Sequence, residues 1–399
     1  MSGAQVLTLC ADLSAIGALA GVVYAVLTVA FMRRLPRTDF QLTAPVPVSV
    51  LVPLCGAEDG LYDRLAALCR QNYPCAFEIV CGAVSPADPA LEVARRVARD
   101  FPDTPMIVST DTRLHGLNRK ISNLTNMLPG ASHDIIVMLD SDIIVEEDHL
   151  ARMVAALDQP GVGAATCLYH GVAGAGPWAA LSSLNINLQF VPNVILGIRS
   201  GLARPCFGST LAISRTLLTD IGGLRAFAGC LHDDYAIGAA VRSAGHKVVI
   251  SFRAVGHMCL EQSARELVES ELRRDRTVRA IDPIGYAGAA ITHSIPLAVL
   301  AMLLGSPLGF PLLLAAGGAR LAQCLCIERA LGLPAQDYWM VPLRDCLSFV
   351  IYLAALMGSD VVWRGERYRI SNNGRLGPRA RRMKAMIAAG GERSRPTPV

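Results

Sequence analysis

The chain has 399 residues, a formal net charge of +4 and 52% hydrophobic residues, with a mean hydropathy of +0.39. That apolar content is high for a soluble enzyme and predicts membrane segments beside one globular domain. The 12 cysteines include no CxxC pair and no Cys/His spacing of a zinc site. The basic residues gather next to the apolar tracts, which favours contact with anionic lipid head groups and argues against nucleic-acid binding.

Three apolar tracts account for the hydrophobic excess. Residues 13–32 carry no charge, and this tract is long enough to cross a hydrocarbon layer of about 30 Å as a helix. The other tracts cover residues 287–318 and 341–362. We therefore predict five segments: an N-terminal anchor at 1–33, a globular domain at 45–258, an amphipathic helix at 259–283, a C-terminal membrane region at 284–363 and a basic tail at 364–399.

Basic residues follow the first and the last tract. Arg33, Arg34 and Arg37 follow the first, and the last is followed by Arg364, Arg367, Arg369, Arg375, Arg379, Arg381, Arg382 and Lys384. Because cytoplasmic flanks are enriched in Lys and Arg, we predict the N-terminus outside and the globular domain in the cytoplasm. A cleavable signal peptide is the alternative, but residues 1–12 contain no Lys or Arg, which favours an uncleaved anchor. The number of C-terminal crossings stays open.

The globular domain alternates between strand and helix patterns. Predicted strands at 46–54, 77–83, 106–109 and 135–139 are accompanied by predicted helices at 61–71 and 89–101. This alternation predicts an α/β domain with a mostly parallel sheet, whose ligands bind beyond the carboxyl ends of the strands.

Acidic residues follow three of these strands. Asp140 and Asp142 come directly after the apolar strand at 135–139, where both can reach one divalent cation, or one can hold a ribose while the other takes the metal. Glu58 follows the first strand and Asp88 the second. A solvated turn or a helix cap would explain each residue singly. Together they predict a crevice for a nucleotide whose diphosphate needs a divalent cation.

Two further segments carry polar groups. Lys120 and Asn123 lie before the fourth strand, where Lys120 is expected to meet phosphate or base oxygens and Asn123 to bind the nucleotide. An exposed basic helix start explains Lys120 equally well. Asp233 and Asp234 begin a predicted helix, where the dipole alone favours them. One of these carboxylates beside the other could also act as a general base on a lipid hydroxyl. Residues 206–210 are predicted to form a wall of the acceptor site.

The predicted amphipathic helix has mixed charge. Its arginines are spread over about four turns and are interrupted by glutamates. They are expected to meet lipid phosphates, while Arg273 or Arg274 is expected to stabilise the leaving diphosphate. A solvated helix held by Glu–Arg pairs is the alternative. We expect the lipid to enter between this helix and the apolar tract that follows it.

Four motifs resemble those of one enzyme group. They are residues 115–124 (HGLNRKISNL), 140–142 (DSD), 204–208 (RPCFG) and 232–235 (HDDY). From about residue 13 to 370 the chain resembles GT-A glycosyltransferases of the family 2/21 type, and most of all the ceramide glucosyltransferase group. Within that group it is most similar to the bacterial hopanoid-associated branch, on residues 87–90 (ADPA) and 276–283 (RTVRAIDP).

The resemblance implies an inverting transfer at the bacterial inner membrane without a covalent sugar intermediate. Asp88 would bind the nucleotide, Asp140 and Asp142 the ribose and the diphosphate with its Mg²⁺ or Mn²⁺, and Asp234 would deprotonate the acceptor hydroxyl. The family's Gln-x-x-Arg-Trp window reads SELRR at 270–274, so the Arg is present and the Gln and Trp are not. This departure leaves the identity of the acceptor less defined than the fold.

Several functions compete. The expected donor is UDP-N-acetylglucosamine and the expected acceptor a hydroxylated hopanoid such as bacteriohopanetetrol, with UDP-glucose and ceramide as the second choice. A processive polysaccharide synthase is a rival enzyme, disfavoured by the small number of spans and by the incomplete tryptophan window. A catalytically silent lipid-binding scaffold in the membrane is the rival from another class. The oligomeric state stays open.

Overall fold

A computed structural model of the chain describes residues 2–34, 40–363, 365–371 and 375–378. Part of the predicted basic flanks lies outside the described residues, namely Arg37, Arg364, Arg379, Arg381, Arg382 and Lys384.

One eight-stranded sheet forms the centre of the globular part. Along the chain its strands are β1 (Val48–Pro53), β2 (Phe77–Ala83), β3 (Met106–Thr110), β4 (Ile135–Leu139), β5 (Ile143–Ile144), β6 (Val162–Ala173), β7 (Thr210–Ser214) and β8 (Lys247–Cys259). Their order across the sheet is β3-β2-β1-β4-β7-β6-β8-β5. The first four strands in this order run parallel, as do β6 and β8, whereas β7 and β5 are antiparallel to their neighbours. The predicted α/β fold with a mostly parallel sheet is confirmed.

Helices cover the sheet and form a separate apolar part. They are α1 (Gly3–Met32), α2 (Leu61–Cys69), α3 (Ala90–Asp100), α4 (Arg119–Met127), α5 (His149–Leu157), α6 (Pro177–Asn185), α7 (Val191–Arg199), α8 (Arg215–Asp220), α9 (Asp233–Ser243), α10 (Ala264–Ile281), α11 (Pro283–Gly288), α12 (Ser294–Leu303), α13 (Gly309–Leu331) and α14 (Val341–Leu356). Short 3₁₀ helices are Leu128–Gly130, Leu224–Phe227, Ala289–Thr292 and Tyr338–Met340, and Ile186–Phe190 is a π-helical turn between α6 and α7.

The four predicted strands form within two residues of their expected bounds. Helices on both faces bury the apolar runs of β1, β2 and β4, whereas β3, at the edge of the sheet, is half-exposed. All six residues of β1 are buried, and Ile136 on β4 is 0% exposed. One hydrophobic core lies under α2, α3 and α5, and a second lies under α4 and α9. This packing fixes the carboxyl ends of β1, β2 and β4 side by side at one edge of the sheet.

Four of the described helices are long and apolar enough to cross a membrane: Gly3–Met32, Pro177–Arg199, Gly309–Leu331 and Tyr338–Leu356. Two further segments, Pro283–Thr292 and Ser294–Leu303, are inclined to each other by 65°. If they form one broken span, the described residues contain five candidate spans. This set of helices fits a membrane protein. Pro177–Arg199 lies inside the predicted globular domain and was not expected, because serine and asparagine residues interrupt its apolar run.

A second sheet follows the last long helix. Its strands β9 (Asp360–Trp363), β10 (Glu366–Ile370) and β11 (Leu376–Pro378) are antiparallel, and its core residues pack with Leu231, two residues before Asp233. The helix of the last apolar tract therefore ends at Leu356. The second sheet lies on both sides of residue 363, where the C-terminal membrane region was predicted to end. The division into domains stays a prediction.

Two arginines of α10 hold this second sheet. Arg276 donates to the carbonyl oxygens of Asp360 and Met357, and Arg279 donates to those of Leu356 and Gly358. These guanidinium groups satisfy carbonyls left unpaired where α14 ends. These two arginines thus have protein partners, and the expectation that arginines along α10 meet lipid phosphates stays a prediction.

Candidate active site

The loops after β1 and β2 meet at the carboxyl edge of the sheet. Asp88 Oδ1 accepts a hydrogen bond from the backbone N–H of Gly56 at 2.9 Å and another from Ala90 at 3.0 Å. Asp88 thus accepts from the first residue of α3 and also ties the two loops together. Asp88 lies at the expected carboxyl edge of the sheet. Its contact with the nucleotide stays a prediction.

Arg64 connects the loop after β1 with the Asp-Ser-Asp segment. Its Nε donates to the carbonyl oxygen of Ser141 at 2.7 Å, and its Nη2 lies 3.4 Å from Glu58 Oε2. The Arg64 side chain is 5% exposed, whereas that of Glu58 is 36% exposed. Sequence reasoning missed Arg64, because an arginine in the first turns of a helix has no distinctive pattern. Glu58 remains a predicted nucleotide ligand.

Lys120 joins two carboxylates that are far apart in sequence. Its Nζ lies 2.6 Å from Asp140 Oδ1 and 3.9 Å from Asp233 Oδ2. Asn118 Nδ2 donates to Asp233 Oδ1 at 3.1 Å and completes this group. Burial, only partly offset by Lys120, raises the pKa of Asp140 to about 6, and burial likewise raises the pKa of Asp233. The acidic neighbours outweigh burial at Lys120 and raise its pKa.

Asp234 is oriented by backbone donors at the start of α9. Its Oδ2 accepts from the N–H of Gly208 at 2.7 Å, and its Oδ1 accepts from the N–H of Tyr235 at 2.8 Å. A Cβ added to Gly208 would lie 3.2 Å from Asp234 Oδ2 and 3.3 Å from Lys120 Nζ. Gly208, in the predicted wall at 206–210, therefore lies directly beside both charged groups. Asp140, Asp233 and Asp234 form one cluster around Lys120.

Asp142 points toward the end of β8. Its Oδ1 is buried and accepts no hydrogen bond within the described part of the chain, while His257 Nδ1 lies 3.5 Å away. Burial would raise the pKa of Asp142, but the charge of His257 lowers it, and Asp142 in turn raises the pKa of His257 against the effect of burial. Sequence reasoning missed His257; its place at the carboxyl end of a strand was the available signal.

The remaining predicted residues lie at different depths. Arg274 is half-buried on α10, its Nε has no hydrogen-bond partner among the described residues, and its charge acts on His257. Arg273 is also half-buried, and its role stays a prediction.

Asn123 is 4% exposed and donates to the carbonyl oxygen of Gly82 at 2.7 Å, so it fixes α4 to β2. This inward position gives no support to the predicted contact of Asn123 with the nucleotide.

A divalent cation fits the Asp140–Asp142 pair only with help from a substrate. Among the residues that the structure describes, no group of three or more His, Cys, Asp or Glu side chains is arranged to hold a metal ion. The buried Oδ1 of Asp142 nevertheless accepts no hydrogen bond from the described residues and lies 3.5 Å from His257 Nδ1, so it is an available hard-oxygen ligand. Mg²⁺ in nucleotide sites is held by one or two carboxylates plus phosphate oxygens, and this pair matches that requirement.

Comparison with known proteins gives the family. The sequence model of Glycosyl transferase family 21 matches residues 13–376. The chain belongs to glycosyl transferase family 21. The family 21 chain is 22% identical over 376 residues to Ceramide glucosyltransferase 1 of Caenorhabditis elegans, covering 89% of the chain and 79% of that protein. It is 33% identical over 147 residues to Ceramide glucosyltransferase of Gibberella zeae, covering 34% of the chain and 28% of that protein.

A solved structure shares the fold of the family 21 chain. The mannosyltransferase PcManGT from Pyrobaculum calidifontis, in complex with GDP-Man and Mn²⁺, superposes with a TM-score of 0.54 at 20% identity. The match covers 88% of the chain and 99% of that structure. The protein is therefore a glycosyltransferase with the predicted GT-A fold. Its placement in the hopanoid-associated branch stays a prediction.

Proposed function

We propose that this family 21 enzyme transfers a sugar from a UDP-sugar to a hydroxyl group of a membrane lipid, with inversion at the anomeric carbon. The observation that carries the proposal is the convergence of Asp140, Asp233 and Asp234 on Lys120, with Asp142 at the same strand end. Such a cluster provides separate carboxylates for the donor and for the acceptor.

The donor half of the reaction rests on Asp140 and Asp142. These two carboxylates would hold Mg²⁺ or Mn²⁺ together with the diphosphate, and the ion would neutralise charge on the leaving group when it is bound. Arg274 is half-buried, its buried Nε has no hydrogen-bond partner among the described residues, and its charge acts on His257. A guanidinium held there suits the charge that develops on a departing phosphate.

The acceptor half rests on Asp234. The backbone N–H groups of Gly208 and Tyr235 hold its carboxylate in one orientation. Asp234 takes the proton of the acceptor hydroxyl while that oxygen bonds to the anomeric carbon and the bond to UDP breaks. Because attack and departure occur on opposite faces, one displacement inverts the configuration. Asp233 is buried, whereas Asp234 is half-buried and therefore more accessible to an acceptor, which favours Asp234 as the proposed base.

The acceptor is proposed to be a hydroxylated lipid. Two of the relatives to which the chain is similar are ceramide glucosyltransferases, which favours ceramide with UDP-glucose. The motifs at 87–90 and 276–283 motivate the alternative, a hopanoid such as bacteriohopanetetrol with UDP-N-acetylglucosamine. We place the catalytic part on the cytoplasmic side of a bacterial inner membrane, since Arg33 and Arg34 directly follow α1.

The test uses the full chain in lipid nanodiscs with Mg²⁺ or Mn²⁺, each of the two UDP-sugars, and ceramide or bacteriohopanetetrol. Glycolipid product is measured by mass spectrometry and free UDP by an enzymatic assay. Asp234→Asn should lower transfer by about 100-fold or more while UDP still binds, because a positioned base contributes about 10²- to 10⁴-fold. Asp103→Asn, on an exposed loop before β3, is the matched control and should leave the rate unchanged.

Two results would overturn the proposal. If wild-type protein neither hydrolyses nor transfers from any UDP-sugar, the silent scaffold is favoured. If Asp234→Asn transfers as fast as wild type, the base lies elsewhere, with Asp233 as the next candidate. Product formed only with bacteriohopanetetrol would reverse the order of the two acceptors.

A further inference from the structure

Three aromatic rings pack together beside the charged cluster. Tyr169 on β6 stacks on Phe190 with ring centroids 4.4 Å apart, and Phe207 meets Tyr169 edge-on at 6.0 Å and Phe190 at 5.5 Å. Phe207 is buried, whereas Tyr169 and Phe190 are half-buried. We call Tyr169, Phe190 and Phe207 the aromatic wall.

The aromatic wall touches both halves of the proposed site. Phe207 directly precedes Gly208, whose N–H donates to Asp234, and the ring of Tyr169 lies 5.6 Å from that of His257, the neighbour of Asp142. Burial raises the pKa of the Tyr169 phenol, and the charges of Arg274, Asp234 and Asp142 all act on it. The wall therefore spans the gap between the predicted base and the predicted metal carboxylate.

Phe190 brings this wall into contact with an apolar helix. It is the last residue of the π-helical turn Ile186–Phe190, which interrupts the candidate span Pro177–Arg199. Asn187 in the same turn accepts from the N–H of Gly171 at 2.8 Å and donates back to its carbonyl at 3.1 Å. This pair of bonds fixes the turn to β6, two residues from Tyr169. An extra residue in a helical turn re-aims the side chains around it, and such turns recur at functional sites.

We propose that the aromatic wall is the acceptor subsite, which packs against the hydrocarbon adjoining the reacting hydroxyl of a lipid. The subsite rests on the proposed function. The lipid reaches it along the helix Pro177–Arg199, because Phe190 belongs both to that helix and to the wall. Aromatic rings are large apolar surfaces that lose little conformational freedom on binding. They suit the hydrocarbon next to a lipid hydroxyl that must be held at Asp234.

A kinetic comparison tests the wall directly. Phe190→Ala should raise the acceptor KM by about tenfold, the loss expected when an apolar pocket loses several carbon atoms. The KM of the UDP-sugar and the Kd of UDP should stay unchanged, because Phe190 faces the acceptor. Phe310→Ala, on the outer surface of α13 with 59% of the residue exposed, is the matched control and should behave as wild type. A higher KM for the UDP-sugar with an unchanged acceptor KM would overturn the subsite and assign the wall to the donor sugar.

Photo-crosslinking tests the same wall without turnover. The photoreactive residue p-benzoylphenylalanine replaces Phe190 in one protein and the exposed Leu314 of α13 in a second, in vesicles of phosphatidylethanolamine and phosphatidylglycerol with a minor fraction of ceramide or bacteriohopanetetrol. Adducts at position 190 should be enriched in the hydroxylated lipid, and adducts at position 314 should follow the bulk composition. Equal adduct composition at both positions would refute the wall.

The two proposals fail in different ways. Wild-type protein that releases no UDP and makes no product would end the transferase proposal, whatever the adducts contain. Active wild-type protein whose acceptor KM is insensitive to Phe190→Ala would end the acceptor subsite alone.

Discussion

Lys120 Nζ lies 2.6 Å from Asp140 Oδ1, so a carboxylate expected to serve the diphosphate and its cation is already neutralised by an ammonium of the protein. The same ammonium lies 3.9 Å from Asp233 Oδ2 on the acceptor side. Cation binding at Asp140 must therefore compete with Lys120. When the donor binds together with its cation, a phosphate of the donor can replace Asp140 as the partner of Lys120. Metal binding is therefore linked to donor binding.

Replacement of Lys120 by methionine should expose this competition. Without the ammonium, Asp140 and Asp233 lose their counter-charge, and the affinity for Mn²⁺ in the absence of nucleotide should rise about tenfold, equivalent to about 1.4 kcal/mol. Electron paramagnetic resonance of free Mn²⁺ measures the affinity. Lys120→Arg keeps the charge and should bind Mn²⁺ as weakly as wild type. Equal Mn²⁺ affinity in wild type and Lys120→Met would show that Lys120 does not compete.

His257 should support the metal side of the site. His257→Asn removes the imidazole 3.5 Å from Asp142, and we expect transfer to fall by about 10- to 100-fold, the range seen when groups next to a metal ligand are changed. The Mn²⁺ concentration for half-maximal rate should rise in the same variant. His246→Asn, at an exposed position before β8, is the control. An unchanged Mn²⁺ dependence in His257→Asn would separate this histidine from the cation.

Glu271 and Arg344 should stabilise the protein as a pair. Arg344 donates to both carboxylate oxygens of Glu271, at 2.9 and 2.7 Å, with side chains 0% and 3% exposed. Arg344→Met leaves a buried carboxylate without its partner and should lower stability by about 3–5 kcal/mol. The double variant Glu271→Leu with Arg344→Met removes both charges and should melt above the single variant. Thermal unfolding in detergent measures the melting temperatures of the two variants. A double variant that melts below Arg344→Met would contradict the prediction.

The first half of the globular part was accessible from sequence. The strand at 135–139 is a continuous apolar run and the strand at 48–53 is interrupted only by Ser49, and such runs are recognised from neighbouring residues alone. The same local logic found the Asp140–Asp142 strand end. The strands β6, β7 and β8 and the apolar helix Pro177–Arg199 were not predicted, because polar residues interrupt their patterns and their burial depends on distant partners.

Residue type and spacing by themselves determined the alternating architecture, the apolar tracts and most of the carboxylates that the mechanism uses. Only the tertiary structure decided that Lys120 lies between Asp140 and Asp233, that His257 meets Asp142, and that Phe190 stacks on Tyr169. Local patterns encode which face of a strand or helix is buried. Contacts between residues 20 to 115 positions apart are set by strand order and helix packing, which no single segment encodes.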